Sequence, residues 1–315
     1  MRGSWIACAG SAACDRRTGR ADRSRHAYIG AVKLSVALRL GRVSNLPTVS
    51  TNVLAALALS GATPAPWTIA IICLAISLLY IAGMFLNDAF DRTVDAIERP
   101  ERPIPAGEVA AAEVFGAGFA LLAFGVLAIA GVAFATGAGW LPIGSALGLA
   151  GLIVYYDMRH KANPFAPVVM GLCRVGAYTT AALAGGAAVD ESLIIGCGLL
   201  LAYLIGLSFI ARHESRSKLS TWWPLAFMVL PFVVLQPAGG GPWMFAIYLM
   251  FAGWTGRCLW LVRKRNFRIA VGGLIAGISL LDALFVIRAG QEVLAGIACA
   301  GFLLTTILQR RVSGT

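Results

Sequence analysis

Apolar runs of membrane-crossing length, separated by short polar stretches, organise almost the whole chain. They recur near 34–59, 67–87, 109–135, 140–156, 166–187, 192–210, 221–236, 243–262, 269–288 and 291–309. About 20 consecutive apolar residues let a helix cross the hydrocarbon core of a bilayer. The pattern predicts an all-α fold, a polytopic transmembrane helix bundle of nine or ten spans around a central cavity. The run at 221–236 is short and holds Pro224 and Pro231, which predicts a kinked or tilted segment. Only Ala289 and Gly290 separate the last two runs, so that turn must be tight. The pattern is absent from residues 1–31, which are small, polar and basic, with Arg16, Arg17, Arg20, Arg23 and Arg25. No apolar core of signal-peptide length follows Arg16 and Arg17. This segment is expected to be disordered, or to reflect a start codon set too far upstream, and residues 32–315 are expected to form the helical domain.

Composition strengthens the membrane reading. Hydrophobic residues make up 58% and charged residues only 13%, about half the charged share of a soluble domain. The 36 glycines suit closely packed transmembrane helices. A net charge of +11 raises the question of nucleic acid. The bases form short clusters between apolar runs, not a stripe interleaved with aromatics, which argues against it. Clusters at Arg159 and Lys161, at Arg212, Arg216 and Lys218, at Arg263 to Arg268 and at Arg310 and Arg311 alternate with loops that hold no Lys or Arg. The positive-inside rule then predicts that the basic loops and both termini face the cytoplasm. In a bacterium the membrane would be the cytoplasmic (inner) one. The seven cysteines form no C-x-x-C pair, so neither a disulfide framework nor a zinc site is predicted.

One polar stretch stands apart, Asn87 to Gly107, NDAFDRTVDAIERPERPIPAG. Six of the chain's 15 acidic residues, Asp88, Asp91, Asp95, Glu98, Glu101 and Glu108, fall here or one position beyond. If the preceding helix continues, Asn87, Asp88, Asp91 and Asp95 share an arc of roughly 100° over a rise of about 12 Å. Such a ladder of hard oxygen ligands suits Mg²⁺, which takes one or two carboxylates and fills its remaining positions with water and substrate phosphate.

This stretch resembles the first aspartate-rich motif, N-D-x-x-D-x-x-x-D, of the UbiA family of intramembrane prenyltransferases. RPIPAG is similar to that family's R-P-[IL]-x-[SA]-G. The resemblance extends over most of the chain from about residue 34. It implies a Mg²⁺-dependent transfer of an isoprenyl group from a prenyl diphosphate to an aromatic or other lipophilic acceptor, within the membrane and among its lipids. It implies catalytic roles for Asp88, Asp91, Asp95 and Lys161, with Asn87, Asp88, Asp91 and Asp95 around the metal. Arg42 and Asn45, three apart on the first span, match an Arg and Asn that line the family's cavity. Arg102 in RPIPAG is expected to bind phosphate. After the fourth span, YYDMRHK matches Y-x-x-x-K-R in two registers. Counting from Tyr156 places His160 and Lys161 at the basic positions, and counting from Tyr155 places Arg159 and His160 there. Asp157 is a further possible ligand, and Arg174, two turns into the next span, a further substrate contact.

The chain departs from the family after the sixth span. The second motif, D-x-x-x-D, is replaced by SFIARHESRSK, in which Glu214 is the one carboxylate. Glu214 is expected to complete the metal shell, although one carboxylate does not replace two. That departure keeps a prenyl-lipid or metabolite carrier of the same fold as an alternative. A cation-coupled secondary transporter is a weaker one, since no internal repeat is found. Asp282, inside the ninth run, is expected to make a structural hydrogen bond between helices.

Overall fold

The structure, a computed structural model, describes residues 33–161, 163–212 and 223–312. The helices are α1 (Leu34–Leu40), α2 (Leu46–Leu59), α3 (Pro66–Phe90), α4 (Arg92–Glu98), α5 (Ala111–Thr136) and α6 (Leu141–Arg159). They continue with α7 (Ala166–Ala184), α8 (Glu191–Arg212), α9 (Leu230–Val234), α10 (Pro242–Arg263), α11 (Phe267–Arg288) and α12 (Glu292–Leu308). No strand occurs among the described residues. Helices α3, α5, α6, α7, α8, α10 and α11 are long and apolar enough to cross a membrane. Three shorter apolar helical stretches accompany them, Val43–Leu59, Leu225–Val234 and α12. The expected segment 1–31 and the carboxylate Glu214 lie outside the described residues.

Two of the predicted runs are not single helices. The first, 34–59, breaks between α1 and α2. Arg42 has φ of 42°, in the left-handed region, which costs a non-glycine residue energy and marks a fixed turn. A single 3-10 turn, Val43–Asn45, follows, and Pro47 then sits in the first turn of α2, where its missing N–H is no loss. The run at 221–236 is described from Trp223. It consists of a 3-10 segment, Trp223–Val229, and the five-residue α9, with Pro231 opening the helix and not kinking it. The predicted tight turn between α11 and α12 is carried by Gly290 at φ of 77°.

Helix α11 is buried along most of its length and packs against α2, α8, α10 and α12. Helix α2 also packs against α12 and α7. Asp282, fully buried in α11, ties three helices together. Its carboxylate accepts from the Tyr178 hydroxyl of α7, from the Thr51 hydroxyl of α2 at 2.5 Å and from the Asn52 amide of α2 at 2.9 Å. It therefore makes the interhelical hydrogen bonds that its sequence position predicts.

The most extensive packing is that of α3 on α5, and small residues make it close. Gly118 and Gly125 are two turns apart on α5 and receive Leu86 and Leu79, two turns apart on α3. A Cβ at Gly125 would lie 2.7 Å from Leu79 Cγ and 3.1 Å from the Ala75 carbonyl oxygen, whereas one at Gly131 would meet open space. Gly125→Ala should therefore destabilise the chain by about 1–3 kcal/mol through overpacking. Gly131→Ala should leave stability unchanged or raise it by up to about 1 kcal/mol through helix propensity. Thermal unfolding of both variants in detergent checks the contrast.

Candidate functional site

A cavity of about 530 Å³ opens between α2, α3, α6, α7, α8 and α11. Its mouth is polar and its walls are apolar, with Val49, Ile76, Leu149, Leu204 and Ile278 among the lining side chains. The mouth is built where α3 ends. Asp91 interrupts the helix between α3 and α4, yet its N–H donates to Asn87 O at 2.9 Å and the Asp95 N–H donates to Asp91 O at 2.8 Å. The helical turn thus passes through the interruption and keeps Asn87, Asp91 and Asp95 on the cavity side.

Asp88 is placed differently. It does not line the cavity but lies behind the wall, where its Oδ1 accepts from Arg42 Nη2 at 3.1 Å and from Arg102 Nη1 at 3.2 Å. Arg102 also donates to Asp95 Oδ2 at 2.6 Å. The turn at Arg42 and the return of the chain through the RPIPAG loop aim both guanidiniums at this point. Within that loop the Ala106 N–H donates to Arg102 O at 2.9 Å, and Gly107 takes a φ of 73°. Burial pushes the Asp95 carboxyl above the ordinary carboxylate range, an effect that Arg102 opposes without cancelling. At the rim Arg39 of α1 is paired with Glu108.

The segment after α6 supplies the other cations. His160 Nε2 and Lys161 Nζ lie 3.2 Å and 3.5 Å from Asp91 Oδ2. Tyr156 lines the cavity and stacks on the His160 ring. Of the two registers open in the sequence, the one counted from Tyr156 reaches the cavity. Arg159 is exposed and borders a separate small hollow with Tyr155, so the register that includes it is not the one facing the site.

Asp157 is 4% exposed, lines the cavity and, among the described residues, has no cation in hydrogen-bond reach. Its Oδ1 is 3.3 Å from the Asn87 amide nitrogen, and its Oδ2 is buried without a partner among the described residues. A buried, unsatisfied carboxylate oxygen is costly and calls for an explanation. Among the described residues no three His, Cys, Asp or Glu side chains converge into a self-sufficient metal cage. The set Asn87, Asp91 and Asp157 suits instead a hard cation that takes few protein oxygens and completes its shell with phosphate and water.

Deeper in the cavity lie Asn45, Tyr80 and Arg174. The Asn45 amide donates to the Tyr80 hydroxyl at 3.2 Å and its oxygen accepts from Gln309 at 3.0 Å. The Arg174 guanidinium lies 5.3 Å from the centre of the Tyr80 ring. Sequence reasoning passed over Tyr80, Asn52 and Gln309. Tyr80 had a signal: it stands two turns before Asn87 and so shares its helical face. Gln309, after α12, had none.

The profile described as the UbiA prenyltransferase family matches residues 48–271. The chain is 32% identical over 135 residues to digeranylgeranylglyceryl phosphate synthase of Methanothermobacter thermautotrophicus, covering 42% of this chain and 43% of that one. It is 33% identical over 149 residues to 4-hydroxybenzoate octaprenyltransferase of Pectobacterium carotovorum, covering 46% and 48%. These matches thus span less than half the length of either curated relative. A solved structure concerned with digeranylgeranylglyceryl phosphate synthase in membranes superposes with a TM-score of 0.56 at 17% identity, over 81% of this chain and 98% of that one. At that identity the likeness is one of fold.

Arg102 neutralises two buried carboxylates, so Arg102→Met should cost several kcal/mol, on the order of the 3–5 kcal/mol seen when a buried pair loses one partner. Without Arg102 the Asp95 pKa rises further. Its folded value then exceeds the unfolded one by more than in the parent, so stability is lost relative to the parent as pH rises through that range. The deficit should be small near pH 4 and larger near pH 7, roughly the window above an unperturbed aspartate. Unfolding curves of both chains at the two pH values check the sign.

Proposed function

This chain belongs to the UbiA prenyltransferase family, and on that premise we propose that it transfers an isoprenyl group from a prenyl diphosphate to an aromatic or other lipophilic acceptor inside the membrane. The observation that carries the reading is a single cavity that joins a mouth of carboxylates and cations to an apolar chamber. The relatives named for digeranylgeranylglyceryl phosphate synthesis and for 4-hydroxybenzoate prenylation support the same class of reaction.

The diphosphate sits at the mouth. Arg42, Arg102 and Lys161 bind its oxygens, the two guanidiniums through donors that Asp88 leaves free and Lys161 by exchanging its contact to Asp91 for phosphate. Asp88 acts from behind the wall, keeping both guanidiniums aimed inward. Mg²⁺ fits the oxygens of Asn87, Asp91 and Asp157, with Asp95 one turn further on. When bound it supplies positive charge that neutralises the leaving diphosphate. The bond between the prenyl carbon and the diphosphate oxygen breaks as the acceptor's nucleophilic atom bonds to that carbon, and the acceptor gives up its proton to the departing diphosphate or to water. Apolar walls exclude water, which would otherwise capture an allyl-cation-like transition state. Glu214, expected to stand in for the missing second motif, is retained as a further ligand for testing. The basic loops support a mouth on the cytoplasmic side, where diphosphates and Mg²⁺ are available. The missing second aspartate motif favours, as a second reading, a carrier that binds the prenyl diphosphate and does not turn it over.

Purified full-length chain should release diphosphate and form a prenylated product from radiolabelled prenyl diphosphates, Mg²⁺ and a panel of aromatic and glycerol-phosphate acceptors. Asp91→Asn should lower kcat and kcat/KM together by about a hundredfold or more, as loss of one electrostatic stabiliser does. Binding without turnover in the parent would establish the carrier instead, and unchanged turnover in Asp91→Asn would remove this carboxylate from the chemistry. Reporter fusions at Thr315 and within 239–241 should report opposite sides of the membrane, the Thr315 end being cytoplasmic. Signals from the same side would overturn the orientation.

A further inference from the structure

Helix α10 carries charge on a face that its neighbours leave exposed. Trp254, Arg257, Trp260 and Lys264 follow one another at steps of three and four residues, so they share an arc of roughly 120°. Arg257, Trp260 and Lys264 are exposed, and none of the four lines the cavity. Arg257 stands six residues inside the end of α10 at Arg263, about 9 Å along the axis. Its guanidinium leans away from that end. The Arg257 Cζ lies 5.0 Å from the centre of the Trp254 ring, one turn deeper, and the Lys264 Nζ lies 5.7 Å from that of Trp260. The Trp254 ring is itself held. Its Nε1 donates to Gly273 O of α11 at 2.7 Å, and it meets the Phe302 ring of α12 edge-on.

Among the described residues no carboxylate lies within ion-pair distance of Arg257 or Lys264. The sequence holds no Asp or Glu at all from 215 to 281. Charged side chains of transmembrane helices ordinarily turn to the bundle interior or to a wet cavity. Arg257 does neither, and one indole face compensates a guanidinium only in part. Its countercharge has to come from outside the chain.

The membrane offers one. A guanidinium presents a planar fork that matches phosphate, and indoles favour the headgroup level of a bilayer. Phe302 is six residues from the end of α12, whereas Trp254 is nine from the end of α10. The end of α12 therefore lies about 4–5 Å nearer the level of Arg257, which brings headgroups beside α12 towards it. Gly253 and Gly256 are exposed, with open space where a Cβ would stand, so no side chain there obstructs a lipid. A second copy joined across this face by two-fold symmetry would instead set the cations against their own images.

We propose that this face of α10 binds the headgroup of an anionic phospholipid in the leaflet that the basic loops face. Arg257 on its Trp254 platform takes the phosphate, and Lys264 beside Trp260 adds positive charge from the rim. The site lies outside the cavity, and its occupation does not depend on the prenyl-transfer reading.

The test counts lipids retained by the full-length chain in neutral detergent, by native mass spectrometry. The probes are phosphatidylglycerol and phosphatidylcholine with identical acyl chains. The parent should favour phosphatidylglycerol roughly tenfold, and Arg257→Gln should cut that preference about fivefold, as loss of one base beside an anionic surface does. Arg257→Lys should keep part of it. Lys264→Gln should lower it to a smaller extent, and gives a reading even if Arg257→Gln fails to fold. Arg159→Gln removes an exposed charge from the corresponding end of α6 and should leave the preference unchanged. Phosphatidylglycerol should also raise the unfolding temperature of the parent more than that of Arg257→Gln. Equal uptake of the two lipids by the parent overturns the proposal. So do equal losses in Arg257→Gln and Arg159→Gln, which would mean a diffuse surface charge. Displacement of the lipid by millimolar glycerol 3-phosphate would make this a site for soluble phosphate, and a parent dimer that Arg257→Gln disperses would make it a protein interface. Either result overturns the lipid assignment.

Discussion

A charge inside a helix bundle surrounded by hydrocarbon has to find a partner, and the polar half of this structure is arranged by that requirement. Asp88 between Arg42 and Arg102 is its centre. To bring those two guanidiniums to one oxygen the chain turns sharply at Arg42, in a conformation unfavourable for its side chain, and folds the loop after α4 back on the end of α3. Both distortions would cost energy without return in a bundle lacking Asp88. Leaving one partner unpaired would cost more, since a lone buried charge is penalised by several kcal/mol.

The same requirement explains why the two ends of the cavity are built differently. At the mouth, carboxylates and cations touch directly, and water can reach the half-exposed Lys161. On the floor, Asn52 stands between Arg174 and the Asp282 carboxylate. Direct pairs exchange partners when a charged ligand arrives. A pair separated by an amide stays in place and keeps the cation's orientation fixed.

The fold was legible in the chain because helices in lipid must satisfy their own backbone groups, which makes a long apolar run nearly synonymous with a helix. What was not legible depended on contacts between distant segments. The break at Gly41 and Arg42 lies inside a run that reads as continuous, and only its pairing with Asp88 explains it. The ladder from Asn87 to Asp95 was readable from helical periodicity, yet periodicity did not reveal that Asp88 would be taken by two arginines behind the wall. Two registers were open after α6, and the structure puts Lys161 at the cavity and Arg159 outside it. Tyr80 was within reach of the same periodic reasoning. Gln309 and Asn52 were not, because their partners come from helices remote in sequence.

The break in the first run also has a consequence for the surrounding lipid. It leaves Val43–Leu59 as a shorter apolar stretch of 17 residues, and its packed neighbour α12 is also 17 residues. At the rise of an α-helix each is about 25 Å long, against about 30 Å for the hydrocarbon core. Since α2 is buried along most of its length, the exposed face of α12 is the short surface that this flank of the bundle presents to the bilayer. Acyl chains on that flank must compress or tilt, at a cost of fractions of a kcal/mol per Å of mismatch. Membrane thickness therefore enters the energetics of this protein where α12 meets lipid, beside the helix that carries Asn45, Thr48 and Asn52.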